Sequence, residues 1–132
     1  MILPGSLAAF FASYRAAFDA LDGEAVATHY HEPSGIVTAE GYVHWPKRAD
    51  ACANMVALCA LYREQGYATA GYELVAYLPQ GLHGAFVTLA WQITRRDGLP
   101  PWRFHTAYNL LHTAAGWHVL LCTAYDEQRL DR

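Results

Sequence analysis

Between Arg103 and Tyr125 the chain reads RFHTAYNLLHTAAGWHVLLCTAY, with three histidines, an asparagine, two tyrosines and a tryptophan among apolar residues. Those side chains can do chemistry. An imidazole exchanges its proton near neutral pH, so His105 is a candidate general base; its alternative is a sheet histidine bonded to a neighbour. The Asn109 amide can orient a carbonyl or a water, or serve as an ordinary polar strand residue. Two further stretches, HYHEP around His29 and His31 and YVHWP around His44, also gather histidine. His29 and His31, two positions apart on a helix, would sit about 200° around it and face different ways. Zinc needs three or four converging ligands, and no spacing supplies them, so no metal site is expected. The chain has no nucleophile elbow, phosphate-cradling glycine loop or dinucleotide fingerprint. No cofactor is expected.

These groups must be held by regular elements. Ser6 follows Pro4-Gly5 as a candidate N-cap, and Leu7, Phe10, Phe11, Tyr14, Phe18 and Leu21 then recur at helical spacing. Asp22 is placed to cap a second, short helix to about Tyr30, with Glu24 in its first turn and Pro33 as its stop. GIVTAEGYVHW reads as two short strands around Glu40-Gly41. A third helix is expected from Pro46-Lys47 to about Gln65, capped by Gly66 and apolar around much of its circumference, hence well buried. The period then changes to two: strands at about Thr69–Leu78 and Ala85–Thr94, the turn RRDGLPP, and the opening hairpin. DEQRLDR is expected to be a frayed tail. Helix, helix, two short strands, helix and four long strands make one α+β domain over residues 1–132.

Bulk properties narrow the partners. The chain has 132 residues, enough for one core without staples. It is 54% hydrophobic and 16% charged with net charge −3, and its basic residues are scattered, so nucleic acid is not an expected partner. No apolar run reaches the roughly 18 residues that span a membrane. The segment ILPGSLAAFFASYRAAF lacks the basic start of a signal peptide. Cys52 and Cys59 would lie about 10 Å apart along a helix, too far for a disulfide. With Cys122 they read as small reduced core residues of a cytoplasmic protein.

FFASYRAAFDALDGEAVATHY, for the first two helices, and YNLLHTAAGWHV, for the last hairpin, resemble the nuclear transport factor 2-like superfamily, with its SnoaL-like and ketosteroid isomerase-like members. The resemblance runs nearly the whole chain and rests on element order and spacing. It implies a cystatin-like cone: about three helices and six strands, the sheet curved, mixed and mainly antiparallel, wrapped around the N-terminal helices over a pocket. It also implies a homodimer through the outer sheet face. Fold alone does not fix function in such a group.

Within that resemblance, Tyr14 precedes Asp22 by the spacing of the isomerase's oxyanion-hole tyrosine, and a phenol there can hydrogen-bond a developing enolate; the alternative is a core tyrosine. The isomerase's carboxylate base falls near Thr38 and its acidic oxyanion donor near Ala107, and neither residue can serve. A steroid isomerase is therefore not expected. Scytalone dehydratase, which uses tyrosine and histidine groups in such a cone, suggests His105 with Tyr14 as a base–acid pair.

Which face of the hairpin lines the cone depends on register. If His112 opposes Trp117 and alternation is unbroken, Phe104, Thr106, Tyr108 and Leu110 share a bulky face with Val119, Leu121, Thr123 and Tyr125. His105, Ala107, Asn109, Leu120 and Cys122 share the other. That second face has small residues beside polar groups, as a site requires, and the resemblance puts it inward; the alternative turns it to solvent or a second subunit. On the inward reading the ligand site is Tyr14, Phe18, Tyr30, Trp45, Ala107, Asn109, Leu120 and Cys122. Three functions remain open: a cone protein binding a small apolar ligand, a lyase, isomerase or cyclase using His105 with Tyr14, and a non-enzymatic dimeric adaptor.

Overall fold

The apolar stripe of the first helix is the seed of the core. Leu7, Phe11, Tyr14 and Ala17 are its buried residues, at the three- and four-residue spacing of one helical face. A computed structural model of the chain, which describes residues 2–126, gives α1 (Gly5–Asp19), α2 (Gly23–Ala27), β1 (Tyr30–Thr38), β2 (Gly41–Trp45), α3 (Arg48–Glu64), β3 (Tyr67–Pro79), β4 (Gly84–Arg95), β5 (Trp102–Thr113) and β6 (Gly116–Tyr125). The tail expected beyond Asp126 lies outside the described residues.

The six strands form one curved sheet in the order β2-β1-β6-β5-β4-β3. Only the β1–β6 pair is parallel, which makes the sheet mixed. The α+β reading holds, and the helices gather on one face, where Leu7, Phe11, Met55 and Cys59 meet Val87, Leu89, Tyr108 and Leu110 in one core.

Several local expectations change. Ser6 does not cap α1, whose N-cap is Pro4; the Ser6 hydroxyl instead accepts from the Trp117 indole at 3.1 Å. The second helix stops at Ala27, and Tyr30 starts β1. Pro33 lies inside that strand, where pairing with β6 jumps from Tyr30–Val119 to Gly35–Leu121. Proline has no N–H for the ladder, so β1 bulges there rather than ending. Helix α3 is buried only along Ala51, Met55 and Cys59, while Val56 and Leu61 are each 47% exposed. Its apolar circumference exceeds what one sheet and α2 can cover.

Where α2 meets α3 the backbones nearly touch. A Cβ on Gly23 would stand 2.5 Å from Val56 Cα. Gly23→Ala is expected to destabilise the fold by about 1–3 kcal/mol through overpacking, read as a lower urea midpoint at unchanged slope.

Candidate functional site

The cavity lies inside the cone, and the hairpin's register decides its wall. Near the turn the pairing is as expected, with His112 opposite Trp117 and Leu110 opposite Val119. The register then slips: Asn109 pairs with Leu121 and Tyr108 with Cys122, leaving Leu120 as an extra residue. This is a β-bulge, which reverses the facing of every later residue on its strand. Phe104, Thr106 and Tyr108 of β5 therefore share the cavity wall with Cys122 and Ala124 of β6.

The bulky face of β5 is thus the inner one. His105, Ala107 and Asn109 alternate with Phe104, Thr106 and Tyr108 and point to the opposite face of the sheet. This corrects the expected inward face. His105 stacks on Tyr125 with ring centres 5.6 Å apart, and Leu120 stands at the bulge, 37% exposed. Of the residues expected at the site, the structure brings together Tyr14, Phe18, Tyr30 and Cys122 at the cavity. Trp45 packs edge-on against Tyr30 at 5.8 Å, one layer behind it. His105, Ala107, Asn109 and Leu120 do not line the cavity. His105 and Tyr14 stand on opposite sides of the sheet, so they cannot form a base–acid pair.

The remaining wall comes from Ile36 on β1, Met55, Leu58 and Tyr62 on α3, Tyr67 and Ala70 on β3, and Trp91 and Ile93 on β4. Trp91 and Ile93 sit on alternate positions of a strand, and Met55, Leu58 and Tyr62 follow helical spacing. Those patterns marked a core; nothing in them separated core from cavity wall. The free volume is about 90 Å³, below the about 150 Å³ of an engineered apolar cavity that admits benzene.

Polar atoms in this wall are arranged in a row. The Trp91 indole N–H donates to the Tyr108 hydroxyl at 3.2 Å. Tyr108 interacts in turn with Tyr14, the Tyr14 and Tyr30 hydroxyls are 2.9 Å apart, and Tyr30 reaches the Cys122 thiol. An indole N–H can only donate. Tyr108 therefore accepts from Trp91, while between Tyr14 and Tyr30 either hydroxyl can be the donor.

Burial holds the phenols of Tyr14, Tyr30 and Tyr108 well above the ordinary tyrosine range and pushes the Cys122 thiol up to about 12. Burial also raises Tyr62 to about 12. The wall is therefore uncharged at neutral pH. Among the described residues it includes no carboxylate, imidazole or amine. The Tyr14 hydroxyl is engaged with that of Tyr30 at 2.9 Å within the row. Thr106 and Tyr62 add further hydroxyl-bearing side chains to the wall.

One carboxylate anchors this wall. Asp19 accepts from the Tyr67 hydroxyl at 2.7 Å, the Thr69 hydroxyl at 2.9 Å and the Ala70 N–H at 2.9 Å, tying α1 to β3. Its partners are 48 to 51 residues away, and no local pattern announces them. Asp22 does cap α2, accepting from Ala25 N at 3.1 Å. All three cysteines are free thiols. Among the described residues no group of three metal-binding side chains occurs, and no helix is long and apolar enough to cross a membrane.

With the geometry in hand, comparison with known proteins decides the family. The family model described as NTF2-like protein (DUF6841) matches residues 6–127. The chain belongs to this family. No curated protein matches it. Among solved structures it is similar to a cystatin-like-fold domain of unknown function from Nostoc punctiforme, at 15% identity and TM-score 0.76 over 95% of this chain and 77% of that one. A ketosteroid isomerase-like protein from Erwinia carotovora atroseptica aligns at 18% identity and TM-score 0.70, covering 96% of this chain and all of the other, 100%. A putative calcium/calmodulin-dependent protein kinase type II association domain from Thiobacillus denitrificans aligns at 15% and 0.76, over 92% and 94%. These likenesses establish the NTF2-like fold and no activity.

The row makes two measurable demands. Tyr14→Phe removes its central hydroxyl and strands two buried partners, and is expected to cost about 1–3 kcal/mol by chemical denaturation. The buried phenols titrate above the ordinary value of 10.0, so the folded state retains protons that the unfolded chain releases. Stability is fully present below pH 10 and declines as pH rises above it. Tyr14→Phe should flatten that alkaline decline, measured as the unfolding midpoint at pH 9, 10 and 11.

Proposed function

We propose that this chain is a binding protein for small, uncharged, mainly apolar molecules held inside the cone, without acid–base catalysis. The observation that carries the reading is the cavity's uncharged aromatic wall, which includes no proton-transfer group among the described residues. Moving a proton between atoms of a substrate needs a base of suitable pKa within reach. Neutral phenols and a thiol raised to about 12 do not supply one at neutral pH. An apolar enclosure with a few hydroxyl-bearing side chains is the composition of a ligand pocket.

Access is through the mouth of the cone. Tyr62, Phe104 and Ala124 border both the inner cavity and an outer groove of about 560 Å³, which also touches Leu61, Trp102 and Tyr125. Tyr62 is held there between Tyr67 and Trp102, each 5.5 Å away. A ligand larger than the resting cavity enters by displacing Tyr62, and the groove receives the part that does not fit.

The reading includes a homodimer through the outer sheet face. There Phe86, Asn109 and Leu121 form one row across β4, β5 and β6, and Thr88, Ala107 and Thr123 form the next. The face is short-chained and weakly charged, and Thr88 is already only 5% exposed. Three free thiols fit a reducing compartment such as the cytoplasm.

Titration of Trp fluorescence with 1-naphthol and with 1-naphthoate tests the pocket. Neutral naphthol is expected to saturate and the carboxylate to bind at least about tenfold more weakly, since an unpaired buried charge is costly. Ala124→Phe should abolish naphthol binding. Equal binding of the two probes, or binding unchanged in Ala124→Phe, contradicts the proposal. For the dimer, Ala107→Arg is expected to shift the sedimentation coefficient from dimer to monomer.

A further inference from the structure

Of the HYHEP stretch, Tyr30 lines the cone interior but the two histidines do not. Its second histidine lies in a separate cleft of about 480 Å³, lined by Thr28, His31, Glu32, Arg48, Thr113 and His118 among others. None of these residues borders the interior cavity. Four pieces of chain meet there: the end of α2, the start of β1, the start of α3 and the β5–β6 turn.

The donors in this cleft are held but not used up. Arg48 Nε donates to the Tyr30 carbonyl at 3.2 Å, which fixes the guanidinium. Its terminal nitrogens have no partner among the described residues. His31 Nδ1 is 2.9 Å from the Pro33 carbonyl oxygen and must donate to it, because a carbonyl only accepts. The Gly116 backbone beside His118 favours the protonated form of that ring. With Nδ1 of His31 used by Pro33, its Nε2 has no protein partner among the described residues.

The one carboxylate in the lining, Glu32, offsets part of this charge: the Arg48 backbone N–H first, then Lys47, Arg48 and His31, hold it below its usual range. Glu32 accepts from the Arg48 backbone N–H at 2.7 Å, at the start of α3. It thus serves the positive end of a 17-residue helix, and its oxygen is engaged with that backbone rather than with the guanidinium. The cleft holds a fixed guanidinium and two imidazoles, each of which becomes a further donor when protonated. We infer that it binds a tetrahedral oxyanion of the sulfate or phosphate type, with Arg48, His31 and His118 donating from three different elements.

Binding should be linked to pH through His118. Desolvation, then Arg48 and His31, hold that imidazole below its ordinary value, while the Gly116 carbonyl works in the opposite sense. Other charged or titratable neighbours are His29 at the end of α2, Glu32 on β1 and Lys47 just before α3; the β5–β6 turn contributes only the uncharged Thr113 and Ala115 to the cleft. An anion offsets the cationic repulsion. By reciprocity it raises the His118 midpoint, and protonation of His118 tightens the anion.

Sulfate is the probe, because it stays a dianion across this pH range. Imidazole NMR signals would be followed from pH 5 to 8 in sulfate and in chloride of equal ionic strength. The expected result is a His118 midpoint higher by about one unit in saturating sulfate, equivalent to about tenfold tighter binding at low pH. Arg48→Gln should lose at least about tenfold in affinity. Glu32→Gln keeps an acceptor for the helix but removes the repelling charge, and should bind sulfate more tightly, a gain that misfolding cannot produce. Equal His118 midpoints in the two salts, weaker binding by Glu32→Gln, or acetate binding as tightly as sulfate would overturn the inference.

Discussion

The hydrogen-bonded row from Trp91 through Tyr108, Tyr14 and Tyr30 to Cys122 constrains everything around it. A buried hydroxyl costs free energy unless it is paired, and here three lie within one apolar core. Each is supplied by a different element: β5, α1 and β1, with Trp91 from β4 and Cys122 from β6. The row can close only when α1 sits at one height inside the sheet and β5 and β6 hold one register. Asp19, gripping β3 from the end of α1, sets that height from the other side. The same row that fixes the fold also engages the Tyr14 hydroxyl.

Much of the architecture was legible because it is periodic. The stripe of α1, the alternation of β4 and the Gly-Trp restart of β6 each announce their element from a few residues. What alternation cannot announce is where it breaks. A bulge at Leu120 reverses the facing of Cys122 and Ala124, and the local sequence VLLCTAY is equally compatible with an unbroken strand. The unbroken register put His105 and Cys122 on one face; the structure puts Cys122 inside and His105 outside. A proline at the end of HYHEP disfavours helix before it and so reads as a helix stop, yet here it sits inside a strand that starts at Tyr30. The Asp19 anchor was hidden by sequence separation alone.

Membership of an NTF2-like family fits this division between scaffold and site. The cone is specified by long-range packing and by the row described above. The side chains of the wall can vary without changing which strands pair. In this chain the choice falls on neutral groups, and the histidines lie elsewhere: His105 on the outer sheet, His31 and His118 in a cleft of their own.

The central claim is that the inner face of the hairpin, not the His105 face, receives a neutral ligand. Alanine methyl-labelled protein saturated with 1-naphthol tests it through intermolecular NOEs. The account predicts contacts to the methyls of Ala70 and Ala124 and none to those of Ala90 and Ala107. Contacts to Ala90 or Ala107 with silence at Ala124 would contradict it.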